Sequence, residues 1–347
     1  MVSNMPRRRR RRPNWPYRLA WCAILGSLLL YIALGTLIGG LTYGRRSYGT
    51  DWWIAFVTTS MSATVGAWFV AVGASIGSFL NVVAYRLPIG RTVGGHSGCP
   101  YCCSPIARGD NVPVLAWLKL RGRCRTCRLP ISAQYPLVEF SVAMIFLSVF
   151  LTEVARGGAN LPNERVYQVH VQGIVTATLV MFLVSYLALM CGLVAAGLIA
   201  VKRQIVPLKL FAWSLFPLVI SSVCDPVVIV VMWRTAKNLG PIDGRLHAVT
   251  TVGLGLLAGT ILGWLLSWFL YRGSQSARTW IAGLAIASAV VGWQGTLPLA
   301  AVMIVSWLVG RFLFRRFADR LAVDDPAVWM WLGLLIFRAL WRQLSFF

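Results

Sequence analysis

The sequence predicts an all-α polytopic membrane protein with about eight transmembrane helices and a small loop domain built on four cysteines. Three observations predict it. Apolar runs at about 19–43, 60–85, 136–153, 171–200, 206–233, 249–270, 280–294 and 297–313 mostly approach or exceed the roughly 18 residues that span a bilayer. The 347-residue chain is 58% hydrophobic and only 12% charged, about half the charged fraction of a soluble domain. Cys99, Cys102, Cys124 and Cys127 form two Cys-x-x-Cys pairs separated by 21 residues.

A net charge of +23 raises the question of nucleic acid, and its distribution answers against it. Arg7 to Arg12 form an uninterrupted block ahead of the first apolar run. With that block in the cytoplasm, alternate loops become cytoplasmic. The N-terminal tail and those loops then hold 24 Lys/Arg, against 7 in the external loops. That asymmetry is the positive-inside rule, so the charge reads as membrane topology, with the bilayer and no nucleic acid as partner. The expected location is a bacterial inner membrane, with the N-terminus cytoplasmic.

In order along the chain, residues 1–18 are an arginine-rich, proline-flanked cytoplasmic tail. Residues 19–63 hold an extra first span and a short external loop with Arg45, Arg46 and Asp51. The run after Arg18 is long for a signal peptide and reads as an anchor. Residues 64–140 hold the second span and the cysteine loop, 86–135. Gly77 and Ser78 in that span suit close helix packing. The loop carries eight Lys/Arg, read as topology and solubility determinants. Glu139 follows early in the third span, where a carboxylate needs the interface or a partner such as Arg86. Residues 136–320 complete a bundle of apolar helices. In the tail, 321–347, Arg338 and Arg342 interrupt an apolar run, leaving a surface-lying helix and a ninth span as alternatives. No internal repeat is evident.

The cysteine pairs suit one tetrahedral zinc with four thiolate ligands, Cys99, Cys102, Cys124 and Cys127. A cytoplasmic loop keeps thiols reduced, which favours metal over disulfides. Cys103 is an alternative to Cys102 as ligand, and His96 is a further one. Cys22, Cys191 and Cys224 lie in apolar runs and read as small buried hydrophobes.

Gly77-Ser78-Phe79-Leu80-Asn81-Val82-Val83-Ala84-Tyr85-Arg86-Leu87-Pro88 resembles the opening signature of the type IV prepilin peptidases. Cys99-Pro100-Tyr101-Cys102, Asp110-Asn111-Val112-Pro113-Val114, Arg121-Gly122-Arg123-Cys124, Cys127, Pro130-Ile131-Ser132 and Tyr135-Pro136-Leu137-Val138-Glu139 continue the likeness. The resemblance implies an enzyme of the type IV pilus or type II secretion kind. Such an enzyme cuts the leader from pilin-like substrates at the cytoplasmic membrane face and methylates the new N-terminus with S-adenosylmethionine. It implies pilin-like signal segments or assembly proteins as partners. It also implies two catalytic aspartates, one closing a helix before a QLLP-like segment, the other ending a Gly-x-Gly-Asp motif. Two carboxylates sharing a proton let one act as base on water while the other protonates the peptide carbonyl.

The sequence departs from that pattern at both places. Counting back from Gln204-Ile205-Val206-Pro207 puts Ala200 at the first aspartate position. Counting back from Gly292-Trp293-Gln294 puts Trp280 at the second. The nearest match to Gly-x-Gly-Asp is Ala107-Arg108-Gly109-Asp110, inside the cysteine loop. Asp225 and Asp243, the other carboxylates considered, fall toward the opposite face. The expectation is therefore a family member without aspartyl peptidase activity, acting as a binding or assembly factor. The alternatives are retained N-methyl transfer and a peptidase with a relocated aspartate pair. No Gly-rich nucleotide cradle follows a strand.

Overall fold

The computed structural model describes residues 15–43, 51–95, 97–155, 177–224, 241–270, 275–317, 322 and 324–340. Every one of the eight expected spans contains a helix. These are α1 (Trp15–Tyr43), α2 (Asp51–Arg86), α4 (Gln134–Val149), α5 (Ala177–Val201), α6 (Leu208–Cys224), α7 (Pro241–Leu270), α8 (Gln275–Val291) and α9 (Thr296–Leu313). A short α3 (Leu115–Leu120) lies in the cysteine loop, and α10 (Met330–Ala339) lies in the C-terminal tail. Six of the helical segments are long and apolar enough to cross a membrane. The protein is all-α and polytopic.

Three further apolar helices, of 10 to 17 residues, are shorter. α6 and α8 have 17 residues each, about 25 Å against a hydrocarbon core of about 30 Å. α10 has 10 residues and cannot cross alone. α2 starts earlier than the sequence suggested. Asp51, expected in an external loop, begins the helix, because the apolar stretch 52–57 extends the same helical run and an acidic residue suits a helix N-terminus.

The chain separates into two compact units, 1–68 with 96–137 and 69–95 with 138–347. In the first, α1 meets the start of α2 where Tyr31 and Ser62 hydroxyls lie 3.3 Å apart. No residue of the apolar stretch of α1 is fully buried, as suits a helix facing lipid. α3 packs against α1, so the cysteine loop abuts a membrane-spanning helix.

The second unit is a helix bundle around α5, the most buried of the spans. Its helices approach through glycines. A Cβ on Gly77 would lie 2.7 Å from the Glu139 Cα, and one on Gly73 2.8 Å from the Phe146 Cβ, so α2 and α4 touch at backbone distance. Gly255, Gly259 and Gly263 repeat the device between α7 and α8, facing Ser288, Ala285 and Ile281. Lipid offers no hydrophobic drive for helices to associate, so close small-residue packing supplies the attraction.

α10 resolves the ambiguity of the tail. Met330, Leu334 and Phe337 are buried in the bundle core. Arg338, the residue that seemed to forbid burial, is only 4% exposed. It reaches Glu153, fully buried at the end of α4, at 3.6 Å. It also donates to the Ser148 hydroxyl at 3.4 Å and lies over the Tyr186 ring at 5.1 Å. Glu153 sits in a π-helical turn, Phe150–Val154. This pair should behave as a coupled unit. Glu153→Gln alone leaves a buried guanidinium and should lower stability by about 3–5 kcal/mol. Glu153→Leu with Arg338→Met should cost much less. Thermal unfolding of the detergent-purified variants measures both, and an equal or greater loss in the double variant would contradict the pairing.

Candidate functional site

The cysteine loop folds as two copies of one small turn, which the sequence reading missed. In the first, Cys99 N–H donates to Ser104 O and Cys103 N–H to Cys99 O, each at 3.0 Å. In the second, Cys124 N–H donates to Leu129 O at 3.0 Å and Arg128 N–H to Cys124 O at 3.1 Å. One step outward, Gly98 bridges Pro105 as Arg123 bridges Pro130. A step further, Ile106 N–H meets Ser97 O as Ile131 N–H meets Gly122 O. Even the left-handed residues correspond, Cys103 at φ 55° and Arg128 at φ 62°. The signal was present in the sequence as Cys-x-x-Cys-x-x-Pro, which occurs at 99–105 and 124–130.

The two turns bring Cys99, Cys102, Cys124 and Cys127 together with all four sulfurs within 4.8 Å of one another. A tetrahedral zinc at about 2.3 Å from each sulfur requires sulfurs about 3.8 Å apart. Cys99 and Cys127 are 3.8 Å apart, and Cys102 and Cys124 are 4.0 Å apart, so the residues fit the ion. The metal would supply folding free energy to a loop with little core of its own. Cys103 is exposed and outside the cluster. His96 lies outside the described residues.

The Ser104 hydroxyl, 2.9 Å from the Cys102 sulfur, and the Ser104 backbone hold that thiol down to about 6. Those bonds favour its thiolate, the form a metal needs. Around the cluster, Trp117 donates from Nε1 to Ile131 O at 3.0 Å. Its ring covers Gly122, which has φ 65° and where a Cβ would lie 2.7 Å from the indole. Only glycine meets both demands.

Asp110 ends the short turn Arg108–Asp110 of the cysteine loop. Its carboxylate is 4% exposed and takes Arg125 through two nitrogens, with Lys119 at 3.5 Å. Hydrogen bonding from Arg125 holds the carboxyl below its usual range. A carboxylate lowered in this way stabilises the fold above its unfolded pKa, and that contribution is lost as pH falls through the lowered one.

The positions expected for the aspartates lie in the bundle core. Ala200 closes the last turn of α5 at 4% exposure, and Trp280, 1% exposed, lies in the second turn of α8. α5 and α8 pack against each other and both against residues 326–328. Ala200, Trp280, Ala327 and Met330 belong to one buried apolar cluster. Glycines admit the 326–330 segment. A Cβ on Gly197 would lie 3.2 Å from Val328 O, and one on Gly283 would strike the Met330 side chain. The segment is also tied at its start, Ala322 N–H to Val201 O at 3.2 Å and Trp307 Nε1 to Asp324 O at 2.8 Å. The Trp280 indole N–H has no hydrogen-bond partner among the described residues.

Asp324 is exposed, and Asp325 caps the 326–328 turn by accepting from Ala327 N–H at 2.9 Å. Asp225 lies outside the described residues. The Asp243 backbone is in the first turn of α7, and its side chain is outside the description.

Two outcomes follow for the cysteine module. Purified protein should contain one zinc per chain by elemental analysis, and Cys124→Ser should lose it while Cys103→Ser retains it. Asp110→Asn should make zinc release by chelator easier at neutral pH, with the difference from wild type shrinking as pH falls below the ordinary carboxylate range.

Comparison with known proteins agrees with the motifs. Residues 71–152 match the bacterial peptidase A24 N-terminal domain. The chain is 28% identical over 295 residues to a prepilin leader peptidase/N-methyltransferase of Pectobacterium carotovorum subsp. carotovorum, covering 77% of this chain and 90% of that protein. It is 27% identical over 266 residues to the protein of the same name from Aeromonas hydrophila, covering 69% and 76%. Against that of Myxococcus xanthus it is 46% identical over 78 residues, 22% of this chain and 23% of that protein. No solved structure matches the chain. The signature before the cysteine loop and the loop itself thus fall in the stretch that matches the bacterial peptidase A24 N-terminal domain, and over most of its length the chain is similar to prepilin leader peptidase/N-methyltransferases.

Proposed function

We propose that this chain is a prepilin-peptidase-like membrane protein without aspartyl peptidase activity, which binds pilin-like signal segments or takes part in their assembly. The observation that carries the reading is Trp280. Its ring is buried in apolar packing at the position where the family resemblance calls for the second carboxylate, with a methyl, Ala200, at the first. Neither group can take a proton from water or give one to a peptide carbonyl. The reaction needs both roles in one step.

The zinc module at Cys99, Cys102, Cys124 and Cys127 has a structural role in this reading. Its cysteines occupy all four positions of a tetrahedral site, leaving none open for a substrate. The positive-inside asymmetry supports an inner-membrane protein with its N-terminus, the zinc module and the 202–209 loop in the cytoplasm. The relatives' names also carry N-methyl transfer, so S-adenosylmethionine-dependent methylation of a pilin-like N-terminus is the second reading.

The test is to incubate the purified protein with a prepilin-like substrate, with and without S-adenosylmethionine, and to measure intact substrate mass. An unchanged mass is expected. Loss of the leader would overturn the proposal, and gain of a methyl mass would replace it with the second reading. Neither Ala200→Asp nor Trp280→Asp alone should produce cleavage. Trp280→Asp should also destabilise, since it buries a carboxylate in an apolar site. Trp280→Phe should cost little, because it removes an indole N–H whose burial without an acceptor costs roughly 1–3 kcal/mol.

A further inference from the structure

The two halves of the cysteine module share one backbone plan but not one surface. Arg123, Arg125 and Arg128 in the second turn stand where the first has Gly98, Pro100 and Cys103. All three arginines are exposed, and so is Arg121 just before them. Arg125 is held by Asp110, the sole acidic residue between 86 and 135. Leu129, beside Arg128, is 44% exposed. The first turn, of equal size, presents no cation at any of these positions.

Topology alone does not ask for this arrangement. The positive-inside rule counts charges in a loop and is indifferent to which side of a folded module carries them. Nor does the backbone ask for it. Arg128 occupies a left-handed conformation where glycine or asparagine would be easier, so its charge is kept against a local conformational cost.

The module is also tethered to helices of membrane-spanning length and composition. Its ends run into α2 and α4, and α3 within it packs against α1, all three long and apolar enough to cross a membrane. Cations on an element tethered in this way feel an anionic lipid surface within a Debye length. We infer that the second turn, through Arg121, Arg123 and Arg128 with Leu129 beside them, docks on anionic phospholipid headgroups of the adjacent leaflet. The guanidinium groups meet lipid phosphates, and Leu129 meets the acyl boundary. The inference is independent of the peptidase question.

The experiment uses the full-length protein reconstituted in vesicles of phosphatidylcholine, or of phosphatidylcholine mixed with phosphatidylglycerol. Deuterium uptake of the 121–131 amides is read by mass spectrometry. Uptake should be about tenfold slower with the anionic lipid, and the difference should vanish in roughly 1 M salt. Arg123→Gln with Arg128→Gln should abolish it while zinc content is retained. If that variant loses its zinc, the salt dependence of the wild-type protein decides alone. Equal uptake in the two lipids, or a salt-resistant difference, overturns the inference. So does protection by inorganic phosphate in pure phosphatidylcholine, which would assign the site to a free anion. A lipid effect that persists in a zinc-loaded double variant would remove the arginines from it.

Discussion

Exclusion of water from the contact between α5 and α8 is the constraint on which the rest of the bundle depends. Inside a bilayer, backbone groups are satisfied within each helix, and what remains is how side chains fill the space between helices. Here the filling is complete around Trp280. Gly197 and Gly283 let the 326–330 segment come against both helices, and Ala327 and Met330 are fully buried beside them. An aspartyl protease needs the opposite at this point, two ionisable groups and a water between them. In this chain Ala200 and Trp280 lie in a buried apolar cluster instead.

The cysteine module depends on a different kind of closure. Its apolar content is small, and the loop is long. Two matched turns hold the four sulfurs at distances suited to one ion, and the Trp117–Gly122 contact and the Asp110 clamp brace the surroundings. None of this requires the peptidase carboxylates.

Much of this was legible in the sequence because it is carried by local pattern. Hydropathy located the spans, cysteine spacing located the cluster, and Gly77 announced close packing of α2 against a neighbour, which the structure shows to be α4. What escaped was carried by long-range geometry. Glu153 and Arg338 lie in helices at opposite ends of the bundle sequence yet 3.6 Å apart in space, and each alone looks like a reason against burial. The doubling of the cysteine turn hid behind unlike side chains, Tyr101 and Cys103 against Thr126 and Arg128, since hydrogen bonds of the main chain carry the likeness. The role of residues 322–330 had only a weak sign, the Asp325-Pro326 pair that begins a helical turn.

Solvent access at Ala200 tests the closed interface most directly. Ala200→Cys changes the local volume little, and reaction of the introduced thiol with a membrane-impermeant maleimide can be followed peptide by peptide beside that of exposed Cys103. A packed site predicts that the introduced thiol stays unmodified in the folded, zinc-loaded protein while Cys103 reacts, and that it reacts once the protein is unfolded. Modification of the introduced thiol at a rate comparable to Cys103 in the folded protein would mean a hydrated cleft at this position, and would contradict the reading of this site as closed.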